Sequence, residues 1–209
     1  METRYNVFAG GSAERLAALS DGVFAVAMTL LVLDLHVPAA ESLHSEHDLR
    51  AALIGLLPRL CLYLMSFLTL GIFWVGQQTQ LNHFARSNRD LTWIHLGFLF
   101  AVTLMPFSTV LMGDFIAYRT ALVIYWLNIL LLGVILFASW RYATRHGLLR
   151  EGVGAQTGRD VERRIIIAQS LYGVGALLSV ISTTWSLVFI MLVQLNYVLA
   201  PRIGILQRL

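Results

Sequence analysis

The sequence predicts an all-α integral membrane protein with six transmembrane helices, and three observations lead to this prediction. The 209 residues are 57% hydrophobic and 13% charged, and the mean hydropathy is +0.71. A soluble domain usually carries about a quarter charged residues, so this low share indicates that a bilayer surrounds the chain. Apolar runs of about 20 residues, long enough to cross a bilayer, recur along the sequence. The arginines gather on one side of these runs, as they do in membrane proteins.

The predicted spans follow one another with short connections and form one domain over residues 1–209. In the second span, Pro58 and Arg59 predict that its first part lies near the membrane interface or is kinked. The fifth and sixth spans are almost contiguous, which predicts a tight helical hairpin. The six spans cover residues 15–35, 51–76, 91–112, 117–140, 164–181 and 184–200.

The charge distribution orients these spans. All 15 basic residues are arginines; with the N-terminus in the cytoplasm, three of them (Arg50, Arg59 and Arg119) lie on the outer side and the remaining twelve on the cytoplasmic side. This positive-inside bias predicts that both termini are cytoplasmic. Because the topology accounts for the basic balance, we expect a lipid bilayer and no nucleic acid as a partner.

The first span carries an uncharged stripe along one helix face. At about 100° per residue, Val26, Leu30 and Leu33 fall on the same side as Arg15, with Thr29 at the edge of the stripe. Such a stripe is compatible with lipid contact or core packing, and equally with a surface that lines a pore. The same face of the wheel also includes Leu19, Gly22 and Val37.

The same helix also has two polar residues that point away from the stripe, Ser20 and Asp21. An ionisable side chain inside a span is costly unless it has a partner, so it indicates a functional or structural role. One interpretation is that Asp21 caps the helix near the interface; the alternative is that it binds polar groups at the same depth of other spans. The candidate partners are Trp74, Gln77, Gln78 and His95.

The segment "RLAALSDGVFAVAMTLLVLDLHVP" resembles the Arg-x-x-x-Phe-Ser-Asp signature helix of the transmembrane protein 175 family of potassium channels. The segments "YLMSFLTLGIFW" and "LTWIHLGFLFAVTLMPFST" extend the resemblance through the second and third spans, whereas the last three spans match in number and hydropathy. Two departures stand out. Leu19 replaces the Phe of the signature, and Gln77 and His95 stand where the family has a His and an Asn.

The resemblance implies a potassium-selective cation channel, without a cofactor, in a bacterial plasma membrane. It also implies a homotetramer whose central pore is lined by the first helix. An apolar constriction formed by the stripe, in place of a carbonyl filter, would then select potassium ions. The expected constriction residues are Val26, Leu30, Leu33 and Thr29, and the expected structural signature is Arg15, Leu19, Ser20 and Asp21.

Other functions remain open or are disfavoured. The main alternative is a proton-coupled secondary transporter that uses Asp21 and His95 as titratable groups. We expect no enzymatic activity, because neither a phosphate-binding loop nor a hydrolase or metalloprotease motif occurs. The "HSEHD" segment at residues 44–48 is interpreted as a solvated loop rather than a metal site. "LYGVG" at residues 171–175 has the wrong order for a carbonyl filter and is interpreted as a helix-packing segment.

Overall fold

The computed structural model describes residues 13–39 and 44–199, and their secondary structure is helical apart from an isolated bridge between Phe84 and Leu149. The termini, predicted to be cytoplasmic, lie outside these residues. The elements are α1 (Ala13–Leu30) with a 3-10 extension (Leu31–Asp34), α2 (Glu46–Gly55), α3 (Leu57–His83), α4 (Arg89–Thr103), α5 (Met105–Asp114), α6 (Arg119–Arg145), α7 (Ala155–Leu178) and α8 (Thr183–Leu199).

The first span is not one α-helix throughout. It tightens to a 3-10 helix at Leu31 and leaves helical geometry after Asp34, so placing Val37 on the helical wheel was wrong. Two features favour this early end: Pro38 disfavours helical backbone in the residue before it, and Asp34 is held by an ion pair with Arg59. Because side chains three residues apart eclipse in a 3-10 helix, Leu33 still lies near the face of Leu30.

The second predicted span, residues 51–76, is divided and displaced. The chain turns at Leu56, between α2 and α3, and α3 then continues to His83. Pro58 lies in the first turn of α3, where the missing N–H of proline costs no helical hydrogen bond. None of the residues of α2 is buried. The proline therefore marks the start of the spanning helix instead of a kink within it.

The third span contains a break that the hydropathy pattern does not reveal. Helices α4 and α5 are separated by Leu104, and Pro106 lies in the first turn of α5. Together they form one apolar segment, Arg89–Asp114, of 26 residues. The fourth span begins at Arg119, as predicted within two residues, but α6 continues beyond the predicted end to Arg145.

Four of the described segments are long and apolar enough to cross a membrane: Ala13–Asp34, Leu57–His83, Arg89–Asp114 and Arg119–Arg145. The predicted fifth and sixth spans differ from these. Helix α7 begins nine residues before the predicted start at residue 164 and has a polar first half, and α8 is an apolar helix of 17 residues. The structure thus supports an all-helical membrane protein with four candidate spans among the described residues.

The helices form one packed bundle. Helix α1 packs on α3, α4 and α5, while α6 packs on α4, α5 and α7; α8 completes the bundle against α7 and α3. The core includes Phe24, Phe98, Tyr125 and Tyr172. At one end Arg59 joins three elements: its Nη2 donates to Asp114 Oδ1 at 2.8 Å, and its Nη1 lies 3.8 Å from Asp34 Oδ1. The ends of α1 and α5 are thereby tied to the start of α3.

Helices α7 and α8 form a close hairpin, as predicted, and its contact depends on a glycine. Ser186 Oγ donates to the carbonyl oxygen of Gly175 at 2.6 Å. A Cβ atom at Gly175 would lie 2.7 Å from Cγ1 of Ile190, which is fully buried. The small residue therefore allows the two helix backbones to approach each other closely.

We predict that Gly175→Ala lowers the thermal unfolding midpoint of the purified protein. Overpacking of a tight contact costs about 1–3 kcal/mol, which exceeds or offsets the gain of about 1 kcal/mol in helix propensity. Gly173→Ala is the matched control, because nothing lies within 4 Å of a Cβ atom there. An equal or higher midpoint for Gly175→Ala than for Gly173→Ala would contradict the close packing of the hairpin.

Candidate pore-lining helix

One face of α1 is buried against the other helices of the bundle. Its buried residues recur at intervals of three and four, which places them on one side of the helix, where they contact α3, α4 and α5. Phe24 packs at 6.1 Å, between ring centroids, from Phe98 of α4. The buried residues of this face are Leu16, Ser20, Phe24, Ala27 and Leu31.

Another face of the same helix is apolar and uncovered. The exposed fractions are 47% for Leu19, 58% for Val26, 46% for Leu30 and 68% for Leu33. Beside this face lies an open groove of about 440 Å³ between α1 and the junction of α4 and α5, and Thr103 and Pro106 form its far wall. The first span therefore presents a continuous apolar surface that none of the other described helices covers.

Thr29 lies next to this surface and is exposed. Its Oγ1 donates to the carbonyl oxygen of Val26 at 2.9 Å, three residues earlier in the same helix. The hydroxyl proton is thus used within the helix, but the oxygen lone pairs remain available as acceptors. Thr29 is the polar side chain nearest to Val26 and Leu30 along the helix. The charged residue of the predicted signature, Arg15, is exposed in the first turn of α1.

Ser20 begins a chain of buried hydrogen bonds that runs across four helices. Its hydroxyl donates to Gln77 Oε1 of α3, and Gln77 Nε2 lies 3.2 Å from His95 Nδ1 of α4. His95 Nε2 in turn lies 3.1 Å from Ser139 Oγ of α6. A consistent donor order requires the His95 tautomer with its proton on Nε2. All four side chains are at most 1% exposed, so the chain ties α1 to the interior of the bundle.

Asp21 binds a second pair of groups on α3. Its Oδ1 accepts from Trp74 Nε1 at 2.7 Å and from Gln78 Nε2 at 2.8 Å. Asp21 itself is exposed. Because Trp74 and Gln78 are four residues apart, they lie on one face of α3. They present two N–H donors to a single oxygen atom.

The structure thus divides the predicted partners of the two signature residues between two clusters. Gln77 is the partner of Ser20, whereas Trp74 and Gln78 are the partners of Asp21. His95 contacts neither signature residue directly; it accepts a hydrogen bond from the Gln77 side chain. The two positions that depart from the family pattern, Gln77 and His95, are therefore hydrogen-bonded to each other.

A second buried polar network lies near the middle of the bundle and was not predicted. Thr109 Oγ1 donates to Ser66 Oγ at 2.7 Å, Ser66 Oγ lies 3.2 Å from Tyr125 Oη, and Gln194 Nε2 donates to Thr69 Oγ1 at 2.6 Å. The network joins α3, α5, α6 and α8. The sequence indicates such a network only through Ser66 and Thr69, two polar residues three positions apart within an apolar span. Their partners on other helices cannot be predicted from this pattern.

The described residues contain no cluster of three or more His, Cys, Asp or Glu side chains that could hold a metal ion. In the "HSEHD" segment, Asp48 forms hydrogen bonds at the start of α2 instead. The Asp48 N–H donates to Ser45 Oγ at 3.1 Å, and Asp48 Oδ2 accepts from the His44 N–H at 3.2 Å. Hydrogen bonds from the Ser45 side chain and the His44 N–H to the carboxyl lower the pKa of Asp48. The segment is therefore not a loop throughout, because Ser45 is the N-cap of α2 and residues 46–48 form the first turn of that helix.

Comparisons with known proteins agree with this geometry. The family model of the endosomal/lysosomal potassium channel TMEM175 matches residues 15–106. A potassium channel of Streptomyces collinus is 31% identical over 188 residues, which are 88% of this chain and 90% of that protein. The human endosomal/lysosomal proton channel TMEM175 is 36% identical over 85 residues, 38% of this chain and 17% of that protein.

A solved structure is also similar. The crystal structure of a lysosomal potassium-selective channel TMEM175 homolog from Chamaesiphon minutus has a TM-score of 0.77 and 26% sequence identity, and the match covers 91% of this chain and 98% of that one. The apolar helical fold together with these relatives defines an integral membrane protein of the ion-channel class. This chain belongs to the TMEM175 family.

We predict that Asp21→Ala lowers the thermal unfolding midpoint and the yield of assembled protein, because two N–H donors of α3 lose their acceptor. Asp21→Asn keeps an oxygen at the same place and should fall between wild type and Asp21→Ala. The measurement is thermal unfolding in detergent combined with size-exclusion chromatography. If Asp21→Ala is as stable as wild type and alters ion selectivity alone, Asp21 belongs to the permeation path and its structural role is wrong.

Proposed function

We propose that the protein is a potassium-selective cation channel, assembled as a homotetramer with α1 at the central axis. The observation that carries the proposal is the division of α1 into two faces. One face is held by hydrogen bonds to α3, and the other presents Val26, Leu30 and Leu33, which no helix within residues 13–39 and 44–199 covers. A helix that is anchored on one side and uncharged on the other suits a position that lines a pore.

The proposed constriction consists of apolar rings. Four copies of α1 around an axis would stack rings of Val26, Leu30 and Leu33, spaced by roughly one helical turn. The sequence from Gly22 to Leu33 contains no charged residue, so no carboxylate ring could replace water lost by an ion. A narrow apolar constriction can close by dewetting. Thr29 would contribute the nearest hydroxyl oxygen to this stretch.

Potassium selectivity follows from the cost of dehydration in such a constriction. Potassium is larger and less strongly hydrated than sodium, so it sheds or deforms its hydration shell at a lower free-energy cost. The preference should be modest in comparison with a filter of backbone carbonyl groups, because the apolar rings do not compensate the lost water. The names of the Streptomyces and Chamaesiphon relatives, both potassium channels, support this choice of ion.

The proposed topology has one domain with six membrane crossings and both termini in the cytoplasm of a bacterium. Helix α8 is 17 residues long and apolar, which gives about 25 Å of helix and reaches the lower limit for a crossing. The close hairpin with α7 would return the chain across the bilayer. The distribution of arginines also supports this topology, because the outer side would contain three of the 15, namely Arg50, Arg59 and Arg119.

A proton-coupled transporter is the alternative, and one observation favours it. The buried chain from Ser20 through Gln77 and His95 to Ser139 contains a titratable group inside the bundle. However, Asp21 belongs to a separate cluster, so the two titratable groups that the alternative requires are not joined. Flux through purified protein in liposomes separates the two functions. A voltage-driven potassium flux supports a channel, whereas flux that requires a proton gradient supports the transporter.

We predict that Leu33→Cys, in a Cys61→Ser background, forms disulfide-linked dimers under mild oxidation, because copies of α1 meet at the axis and one thiol per subunit can join two subunits. Removal of Cys61 is needed because this native thiol is free and exposed. Val188→Cys, an exposed position on the α7–α8 hairpin, is the control and should remain monomeric on a denaturing gel. Cross-linking at Val188 but not at Leu33 would mean that α8, and not α1, lies at the centre of the assembly, and would contradict the proposal.

We predict that Leu30→Ala and Leu33→Ala raise conductance and reduce the preference for potassium over sodium, because each substitution widens an apolar ring. Currents in planar bilayers with potassium and sodium on opposite sides provide the measurement. Leu127→Ala is the control, since this leucine is 49% exposed on α6 and outside the proposed pore. Unchanged conductance and selectivity in both variants and in Val26→Ala would mean that the constriction lies elsewhere.

A further inference from the structure

A cleft of about 520 Å³ lies on the side of the bundle formed by α3, α6, α7 and α8. Its lining contains no residue of α1, and it is separate from the apolar groove beside that helix. On α3 the lining runs from Gly71 to Gln80, which is the half of the helix that ends near the arginine-rich side. The cleft therefore opens at the periphery of the subunit, away from the proposed pore.

The cleft changes in polarity along its length. Its deep part is lined by apolar groups such as Ile72 and Phe73, whereas Thr79, Gln80 and Arg164 lie towards the arginine-rich end. Arg164 is exposed, and Glu162, two residues earlier, is paired with Arg141 at 3.4 Å. No described carboxylate lies within ion-pair distance of Arg164. A positive group thus stands at the mouth of an apolar cleft, with its charge not neutralised by the described residues.

Two glutamine side chains line this cleft, and of these Gln80 is buried and Gln169 is half-buried. Gln80 is 1% exposed, and its Nε2 donates to the carbonyl oxygen of Leu136 at 3.0 Å. Gln169 Nε2 lies 3.5 Å from the carbonyl oxygen of Ile129. In the described part of the chain, the Oε1 atoms of both glutamines have no hydrogen-bond partner. Buried polar atoms are rarely left in this state, so the wall of the cleft has acceptor capacity that the described residues do not use.

We propose that this cleft binds an anionic phospholipid of the phosphatidylglycerol type from the surrounding bilayer. The phosphate would pair with Arg164, since a guanidinium group matches the geometry of phosphate oxygens. The hydroxyl groups of the glycerol headgroup would donate to the exposed Thr79 Oγ1, whose own proton is donated to the carbonyl oxygen of Val75. They would also donate to Gln169 Oε1 once this half-buried side chain turns towards the cleft. One acyl chain would occupy the apolar part beside Ile72 and Phe73. A zwitterionic lipid offers the acyl chain but not the net charge, and a soluble phosphate ester offers the charge but not the acyl chain.

Native mass spectrometry of the purified full-length protein tests this proposal, with phosphatidylglycerol and phosphatidylcholine of identical acyl chains as probes. We expect stronger binding of phosphatidylglycerol. Arg164→Gln should weaken that binding about fivefold, the equivalent of one arginine near an anionic lipid surface. Arg163→Gln is the matched control, because Arg163 is the exposed residue immediately before Arg164 on the same helix and does not line the cleft.

A second variant tests the position of the acyl chain. Ala168 lines the cleft, so Ala168→Trp should fill it and abolish binding of both lipids. Equal weakening by Arg163→Gln and Arg164→Gln would overturn the proposal in favour of a diffuse surface charge. So would equal binding of the two lipids by wild type, binding of glycerol 3-phosphate as tight as that of the lipid, or undiminished lipid binding by folded Ala168→Trp. If Ala168→Trp does not fold, the two arginine variants decide. None of these readouts depends on ion flux, so the result stands whether or not the protein conducts potassium.

Discussion

The structure depends above all on the hydrogen bonds between the first helix and α3, because hydrocarbon offers no other partner for polar side chains. Ser20 and Asp21 are adjacent, so they leave α1 in directions about 100° apart. Each is bound by a different set of residues on α3: Gln77 for Ser20, and Trp74 with Gln78 for Asp21. Two attachments in different directions set the rotation of α1 about its own axis. They therefore determine which of its faces the bundle buries.

The function proposed for the uncovered face follows from this constraint. Once Ser20 and Phe24 point into the bundle, Val26, Leu30 and Leu33 must point away from it. Anchoring and permeation are then assigned to different side chains of one helix. In the proposed channel, the polar signature stabilises the orientation and the apolar stripe contacts ions and water. Such a separation would let the proposed permeation face be uncharged beyond Arg15, because no polar group within the stripe has to hold the helix in place.

The remaining helices are held by interactions of the same kind at other depths. At one end of the bundle, Arg59 joins the ends of α1 and α5 to α3. In the middle, Ser66 and Thr69 of α3 bind side chains of α5, α6 and α8. Helix α3 takes part in every one of these layers and thus organises the bundle. On the opposite side the α7–α8 hairpin packs less completely on α3, and the cleft with its unpartnered glutamine oxygens remains open there.

The sequence by itself determined the membrane class, the approximate positions of four spans, the family, and the two faces of α1, because hydropathy and helical periodicity are local properties. It also named the residues on α3 that bind the signature, but not which of them binds Ser20 and which binds Asp21. The tertiary structure decided that pairing, the end of α1 in a 3-10 helix and the break between α4 and α5. It also revealed the bond between Thr69 and Gln194, which are 125 residues apart. Such pairings depend on distances between helices, and these distances are set when the whole bundle packs.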